Sequence, residues 1–221
     1  MSISTGDTQA AEGSAARPPA TERLRRFWDT HASTYDREMA FFERIFVGDG
    51  RAWACSQASG DVLEVAIGTG RNLPFYPVDL RLTGIEFSPA MLELARERAR
   101  ELGRQVDLRS GDAHVLEFAD DSFDTVVCTL SLCGIADDRR AVSEMRRVLR
   151  PGGRLILLDH VAGSPGWVRA LQWLIERITV PLEGEHMLRR PLHIVQEQGF
   201  VLEFSERSEL GIIERLIARK R

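Results

Sequence analysis

Residues 61–86, DVLEVAIGTGRNLPFYPVDLRLTGIE, decide the fold. Residues 61–66 are an apolar run with the length and content of a buried β-strand. Gly68-Thr69-Gly70 follows as a tight turn that should open a helix. Residues 82–85 then form a second strand that leads to Glu86. The pattern is a βαβ unit suited to a nucleoside. Two glycines let the backbone approach a ligand without Cβ interference, and a helix start offers unpaired N–H donors. Glu86, at the carboxyl end of the second strand, is placed to accept both ribose hydroxyls.

The glycine spacing narrows the ligand. A dinucleotide site wants G-x-G-x-x-G, and the third position here is Leu73, which argues against an NAD-type oxidoreductase. Read from the strand, the turn is Glu64-x-Ala66-x-Gly68-x-Gly70. This resembles the S-adenosylmethionine site of class I methyltransferases. A sulfonium ligand with an α-amino group has use for Glu64, whereas a pyrophosphate would be repelled by it. Ala66 stands where the family has its first glycine and adds one methyl beside the ligand.

Downstream segments extend the resemblance. Ser110-Gly111-Asp112-Ala113 follows a short strand at 106–109, where this family reads the adenine amino group with an aspartate. Residues 122–128 read as a buried strand. Residues 138–149 carry Val142, Met145, Val148 and Leu149 at helical spacing. Arg150-Pro151-Gly152-Gly153 breaks that helix before a strand at 155–158. The order is similar to the class I pattern over about half the chain, most closely to its UbiE-like small-molecule branch. The runs CTLSLC and LRPGGRLILLDHV, with the later EGEH, also resemble bacterial phospholipid-amine and animal thiol methyltransferases.

The resemblance implies an α/β, Rossmann-like fold. Its seven-stranded, mostly parallel sheet would carry helices on both faces, an antiparallel C-terminal hairpin and an N-terminal helical lid. It implies S-adenosylmethionine as cofactor and S-adenosylhomocysteine as product. The implied cofactor residues are Tyr35, Glu64, Ala66, Gly68, Gly70, Glu86, Phe87, Asp112, Ala113 and Thr129. No metal is implied. Two other readings stand beside the enzyme on a small apolar acceptor: a phospholipid-amine methyltransferase at a membrane surface, and a cofactor-binding protein without catalysis.

Composition agrees with one α/β domain. A chain of 221 residues can bury a substantial core. A net charge of −4 supplies no global attraction for nucleic acid. No run approaches the roughly 20 apolar residues of a membrane-spanning helix. The N-terminus lacks a secretory pattern, so the cytoplasm is the expected compartment, for a monomer or homodimer. Cys55, Cys128 and Cys133 have no zinc-ligand spacing, and free thiols are expected.

Residues 1–20, rich in Ala, Ser, Thr, Gly and Pro, read as a disordered tail ahead of a single domain over 21–221. Within a lid at 21–58, Leu24, Phe27, Trp28 and His31 share one helical face, and Phe41, Phe42, Ile45 and Phe46 another. Tyr35-Asp36 resembles a family pair whose tyrosine covers the methionine end of the cofactor; lid packing alone is the plainer reading of Trp28 and Tyr35. An amphipathic membrane helix, with Arg23, Arg25 and Arg26 on its polar side, is the less favoured reading of the lid. An insertion at 162–190 carries Trp167, Leu171, Leu174, Ile175 and Ile178 on one stripe, with Pro181 expected to stop the helix. It either walls an apolar acceptor pocket or is a core or dimer helix.

Trp28, Cys133, Trp167 and Leu171 are therefore the expected acceptor-side residues. Methyl transfer from a sulfonium needs alignment and exclusion of water, and a base only when the acceptor arrives protonated. His160, at a strand end, and His186, in the EGEH run, are the candidate bases.

Overall fold

The computed structural model describes residues 19–208 and 210–221. The expected tail falls outside them, apart from Pro19 and Ala20, which already belong to the first helix. The elements are α1 (Pro19–Phe42), α2 (Gly50–Ser56), β1 (Asp61–Val65), β2 (Arg81–Glu86), α3 (Pro89–Glu101), β3 (Asp107–Ser110) and β4 (Phe123–Thr129). They continue with α4 (Asp138–Val148), β5 (Leu149–His160), α5 (Gly166–Glu183), α6 (Pro191–Glu197), β6 (Val201–Arg207) and β7 (Ile213–Arg219).

One seven-stranded sheet runs β3-β2-β1-β4-β5-β7-β6. Pairings from β3 to β5 are parallel; β7 lies antiparallel to both β5 and β6. Alternate residues feed two cores. Leu63, Val65, Val126, Leu155 and Leu157 pack with α4 and α6, while Val62, Val127, Ile156 and Leu158 pack with α2 and the end of α3. This is why β1, β4 and β5 are apolar without alternation, as strands covered on both faces must be. Strand order reverses between β1 and β4, and in such sheets the ligand crevice lies at the carboxyl ends there.

Three local expectations are corrected. The helix expected after Gly70 is replaced by turns and a short 3-10 segment, Leu73–Phe75. Pro74 and Pro77 flank too little chain for an α-helix. β5 does not start beyond Arg150-Pro151-Gly152-Gly153 but runs through it, absorbing the glycines in a register shift opposite Phe123 and Thr125. Pro181 sits inside α5, whose end is set by Gly184 at φ +76°, with its N–H bonded to Thr179 and Val180 carbonyls.

The lid also differs from expectation. A π-helical turn, Glu43–Val47, follows α1 and takes an extra residue per turn. Phe41, at the end of α1, and Ile45 and Phe46, within the turn, are 68%, 53% and 41% exposed, while the rings of Phe42 and Phe46 stay 5.2 Å apart. Acidic residues hold α1 over the sheet. Asp29 accepts Ser88 Oγ at 2.7 Å and the Ala90 N–H at 3.2 Å, at the start of α3. Asp36 accepts Thr69 Oγ1 at 2.6 Å and pairs with Arg98. Glu43 binds both Arg51 and Arg71, at 2.6 and 2.8 Å.

Candidate active site

A cavity of about 550 Å³ opens at the carboxyl ends of β1, β2 and β4, under α1 and α5. Its size is that of a small-molecule site. Among the expected cofactor residues, Tyr35, Ala66, Gly68, Glu86, Phe87, Asp112, Ala113 and Thr129 line it. All four expected acceptor-side residues, Trp28, Cys133, Trp167 and Leu171, line it too, as does His160. Glu64, Gly70 and His186 do not.

The glycine turn separates into parts with different duties. Gly68 has φ +59°, and a Cβ there would meet nothing within 4 Å, so its bare backbone faces open space. Gly70, at φ +77°, is needed for packing: a Cβ would lie 2.9 Å from Leu73 Cδ1 and 3.2 Å from the Ala95 backbone on α3. Ala66 holds φ +56° and Leu130, at the end of β4, φ +50°. Both line the cavity in a backbone region that costs an L-residue about 1–2 kcal/mol.

Glu86 is buried at 3% exposure, yet it reaches the cavity wall. Its two carboxylate oxygens accept the Gly68 and Ser88 N–H groups, each at 2.9 Å. Burial raises its pKa to about 7 against those hydrogen bonds. Each oxygen keeps a second acceptor site, so the carboxylate is oriented and still able to take hydroxyl donors. Asp112 Oδ1 accepts the His114 N–H at 2.9 Å and faces its ring Nδ1 at 2.6 Å. His114 Nε2 in turn accepts the Asp137 N–H at 3.0 Å, which assigns the ring proton to Nδ1.

Glu64 is set back from the cavity. Its Oε1 accepts Asn72 Nδ2 at 2.8 Å, and burial raises its pKa to about 7. Asn72 also reaches Thr129 Oγ1 at 2.8 Å and accepts Arg51 Nη1 at 2.9 Å. Glu64 therefore meets the cavity wall through Asn72, a relay that the acid's position on β1 does not announce.

His160 ends β5, and its buried ring nitrogens make no hydrogen bond. Glu185 stands 3.6 Å away as an ion-pair partner. Burial lowers the histidine pKa, but Glu185 and Asp159 outweigh it and hold the ring above its ordinary value. His186 donates its backbone N–H to the Cys133 carbonyl at 3.0 Å, and burial with Arg189 lowers its ring pKa. Its backbone ties the loop to Cys133, and it does not line the cavity. The three cysteines are free and buried. Cys133, Asp159 and His160 bring ligand-type atoms within 4.8 Å of one another. The Asp159 oxygens are occupied by the Cys133 and His160 N–H groups at 3.1 and 2.8 Å, which accounts for the grouping.

Several wall residues were absent from the sequence expectations: Glu38, Arg51, Ser131, Glu183 and Glu185. Glu38 falls three positions after Tyr35, so the helical period could have placed it. Arg51 had no such signal, since its partner Glu43 is bound through a π turn.

Residues 63–157 match the methyltransferase domain family. A phosphatidylethanolamine N-methyltransferase of Cereibacter sphaeroides is 42% identical over 53% of this chain and 59% of its own length. Human thiol S-methyltransferase TMT1A is 35% identical over 59% of this chain and 54% of its own. The chain thus spans little more than half the length of these relatives. A solved S-adenosylmethionine-dependent methyltransferase from Thermotoga maritima shares the fold with a TM-score of 0.67 and 23% identity, over 89% of this chain and 99% of its own.

Sheet order, glycine turn and cavity define the class I methyltransferase architecture. Residues 63–157 are similar to the methyltransferase domain, and the sheet that holds them has the fold of the solved methyltransferases.

Proposed function

We propose that the protein transfers the methyl group of S-adenosylmethionine to a small, largely apolar acceptor and releases S-adenosylhomocysteine. One observation carries this reading: a single cavity joins Gly68, Glu86 and Asp112 on one side to Trp28, Trp167 and Leu171 on the other. The residues fit the cofactor, because Gly68 leaves open space at the turn and Glu86 presents a fixed, buried carboxylate beside it.

Glu86 would hold the ribose and Asp112 with Ala113 the adenine, while Tyr35 covers the methionine end. When bound, the cofactor supplies a methyl group on a sulfonium leaving group. Trp28, Trp167 and Leu171 exclude water and align the acceptor. His160, held by Asp159 and Glu185, takes a proton where the acceptor carries one. Calorimetry with S-adenosylmethionine, S-adenosylhomocysteine and NAD tests the cofactor. Binding of NAD and of neither sulfur compound would sink the proposal, and radiolabelled methyl transfer separates an enzyme from an inactive binder.

A second reading, delivery of the acceptor from a lipid surface, is supported by α5. Trp167, Leu171, Leu174, Ile178 and Leu182 form a stripe along it, each more than half exposed, and the first two also line the cavity. Among the described residues no helix is long and apolar enough to cross a membrane. Co-sedimentation with phospholipid vesicles distinguishes this reading from a freely dissolved acceptor.

A further inference from the structure

The acceptor end of the cavity is more acidic than an apolar substrate requires. Glu38 from α1, Glu183 at the end of α5 and Glu185 just beyond it all line the wall. The nearby cations are committed elsewhere, since Arg51 and Arg71 both bind Glu43. Among the described residues, the carboxylates of Glu38 and Glu183 accept no hydrogen bond and form no ion pair, and that of Glu185 pairs with His160 alone. The charged groups around this end include Arg23, Glu38 and His31 from α1, Glu176 and Glu183 from α5, Glu185, and Asp159 and His160 from β5; Arg23 is held by the Pro181 carbonyl. His31 is turned toward its own helix, with Nδ1 2.8 Å from the Phe27 carbonyl, and Glu176 accepts the Leu188 N–H at 2.8 Å. Burial and then the adjacent Glu185 hold the Glu183 carboxyl above its usual range, against His31 and His160, which draw it down.

This charge discriminates between acceptor atoms. A thiol or phenol becomes an anion on activation, and carboxylates oppose that change. They oppose loss of a proton from an ammonium as well, but the amine alone carries positive charge when it arrives and when it leaves methylated, and the same carboxylates favour both states. The ring of His160, paired with Glu185 at 3.6 Å and without a hydrogen bond, lines the same space and can take the proton.

We infer that the acceptor is an amphiphilic amine, its apolar body against Trp167, Leu171 and Ile175 and its ammonium drawn to Glu38, Glu183 and Glu185. The inference rests on the methyl transfer proposed above and selects nitrogen as the acceptor atom. An ammonium proton passes to a His160 ring nitrogen and leaves the neutral amine. The amine lone pair forms the N–CH3 bond as the methyl–sulfur bond breaks, and sulfur keeps that electron pair as a neutral thioether. Positive charge moves from sulfur to the methylammonium, and the His160 proton leaves to solvent.

The test offers the full chain octylamine, octanethiol and para-octylphenol with S-adenosylmethionine. It measures S-adenosylhomocysteine release and, by calorimetry, octylamine binding. Octylamine is expected to bind and to be the preferred acceptor. Glu38→Gln and Glu183→Gln should each raise its KM and Kd roughly tenfold, the value of one contact between charges, with cofactor affinity unchanged. Preference for the thiol or phenol, or no turnover of the three while the cofactor binds, overturns the amine inference alone. Weaker cofactor binding in both variants, with octylamine binding unchanged, assigns the acids to the sulfonium and also overturns it. Failure of the unaltered protein to bind S-adenosylmethionine overturns the function on which the inference rests.

Discussion

Ala66 and Leu130 hold positive φ, +56° and +50°, at the carboxyl ends of the adjacent parallel strands β1 and β4. Both face the cavity, and Ser131 next to Leu130 donates its hydroxyl to the Ala66 carbonyl at 3.3 Å. Backbone strain is thus concentrated where two strands turn outward around the ligand space.

Ala66→Gly should stabilise the fold. Relief of the left-handed strain exceeds the added entropy of an unfolded glycine, for a net gain of about 0.5–1 kcal/mol in urea unfolding. Gly70→Ala should instead lose at least about 2 kcal/mol, because strain at φ +77° adds to the clash with Leu73 and Ala95. Equal effects at the two sites would contradict this division of roles.

Glu86→Gln is expected to weaken S-adenosylmethionine binding by about tenfold or more, since a charged acceptor of two hydroxyls becomes neutral. Unchanged affinity by calorimetry would remove Glu86 from the ribose assignment.

Glu86 also sets a pH dependence. Its pKa rises from 4.5 to about 7 on folding, so the native state binds the proton more tightly. That contribution to stability is complete below the unfolded value and is lost as pH climbs through about 7. Affinity for ribose hydroxyls moves oppositely, because the carboxylate is the stronger acceptor. The difference in melting temperature between wild type and Glu86→Gln should therefore change across this window, while cofactor affinity of the wild type increases. Parallel trends would oppose the assignment.

His160→Gln should abolish turnover of a protonated acceptor and retain cofactor affinity. Glu185→Gln removes the neighbour that holds the His160 ring up, so the rising limb of kcat should move to lower pH. Full activity of His160→Gln across about pH 6 to 9 excludes the base role.

Glu43→Ala strips the carboxylate shared by Arg51 and Arg71, whose side chains are only 10% and 20% exposed. Loss of about 3 kcal/mol is expected, with earlier proteolytic cleavage in α1 than elsewhere. Uniform protection of the lid would show that Asp29 and Asp36 suffice to hold it.

Much of the framework was legible in the chain. β1, β4 and β5 lie between two cores, so their apolar runs announced buried parallel strands, and the turn at 68–70 marked the crevice. Boundaries set by backbone geometry were less visible. Pro181 read as a stop because a helix interior rejects proline, yet α5 runs past it to the positive φ of Gly184.

The sequence by itself determined the class of fold and pointed to the crevice that Glu86 and Asp112 line, because these depend on local periodicity and short spacing. Tertiary structure alone decided which residues line the cavity under α1 and α5. Glu38 lies well over a hundred residues of chain from Glu183 and Glu185, and meets them only because α1 is held over α5. It also placed Glu64 behind Asn72 and His186 off the cavity wall. A side chain's direction depends on what packs above it, and that packing comes from parts of the chain that no short window contains.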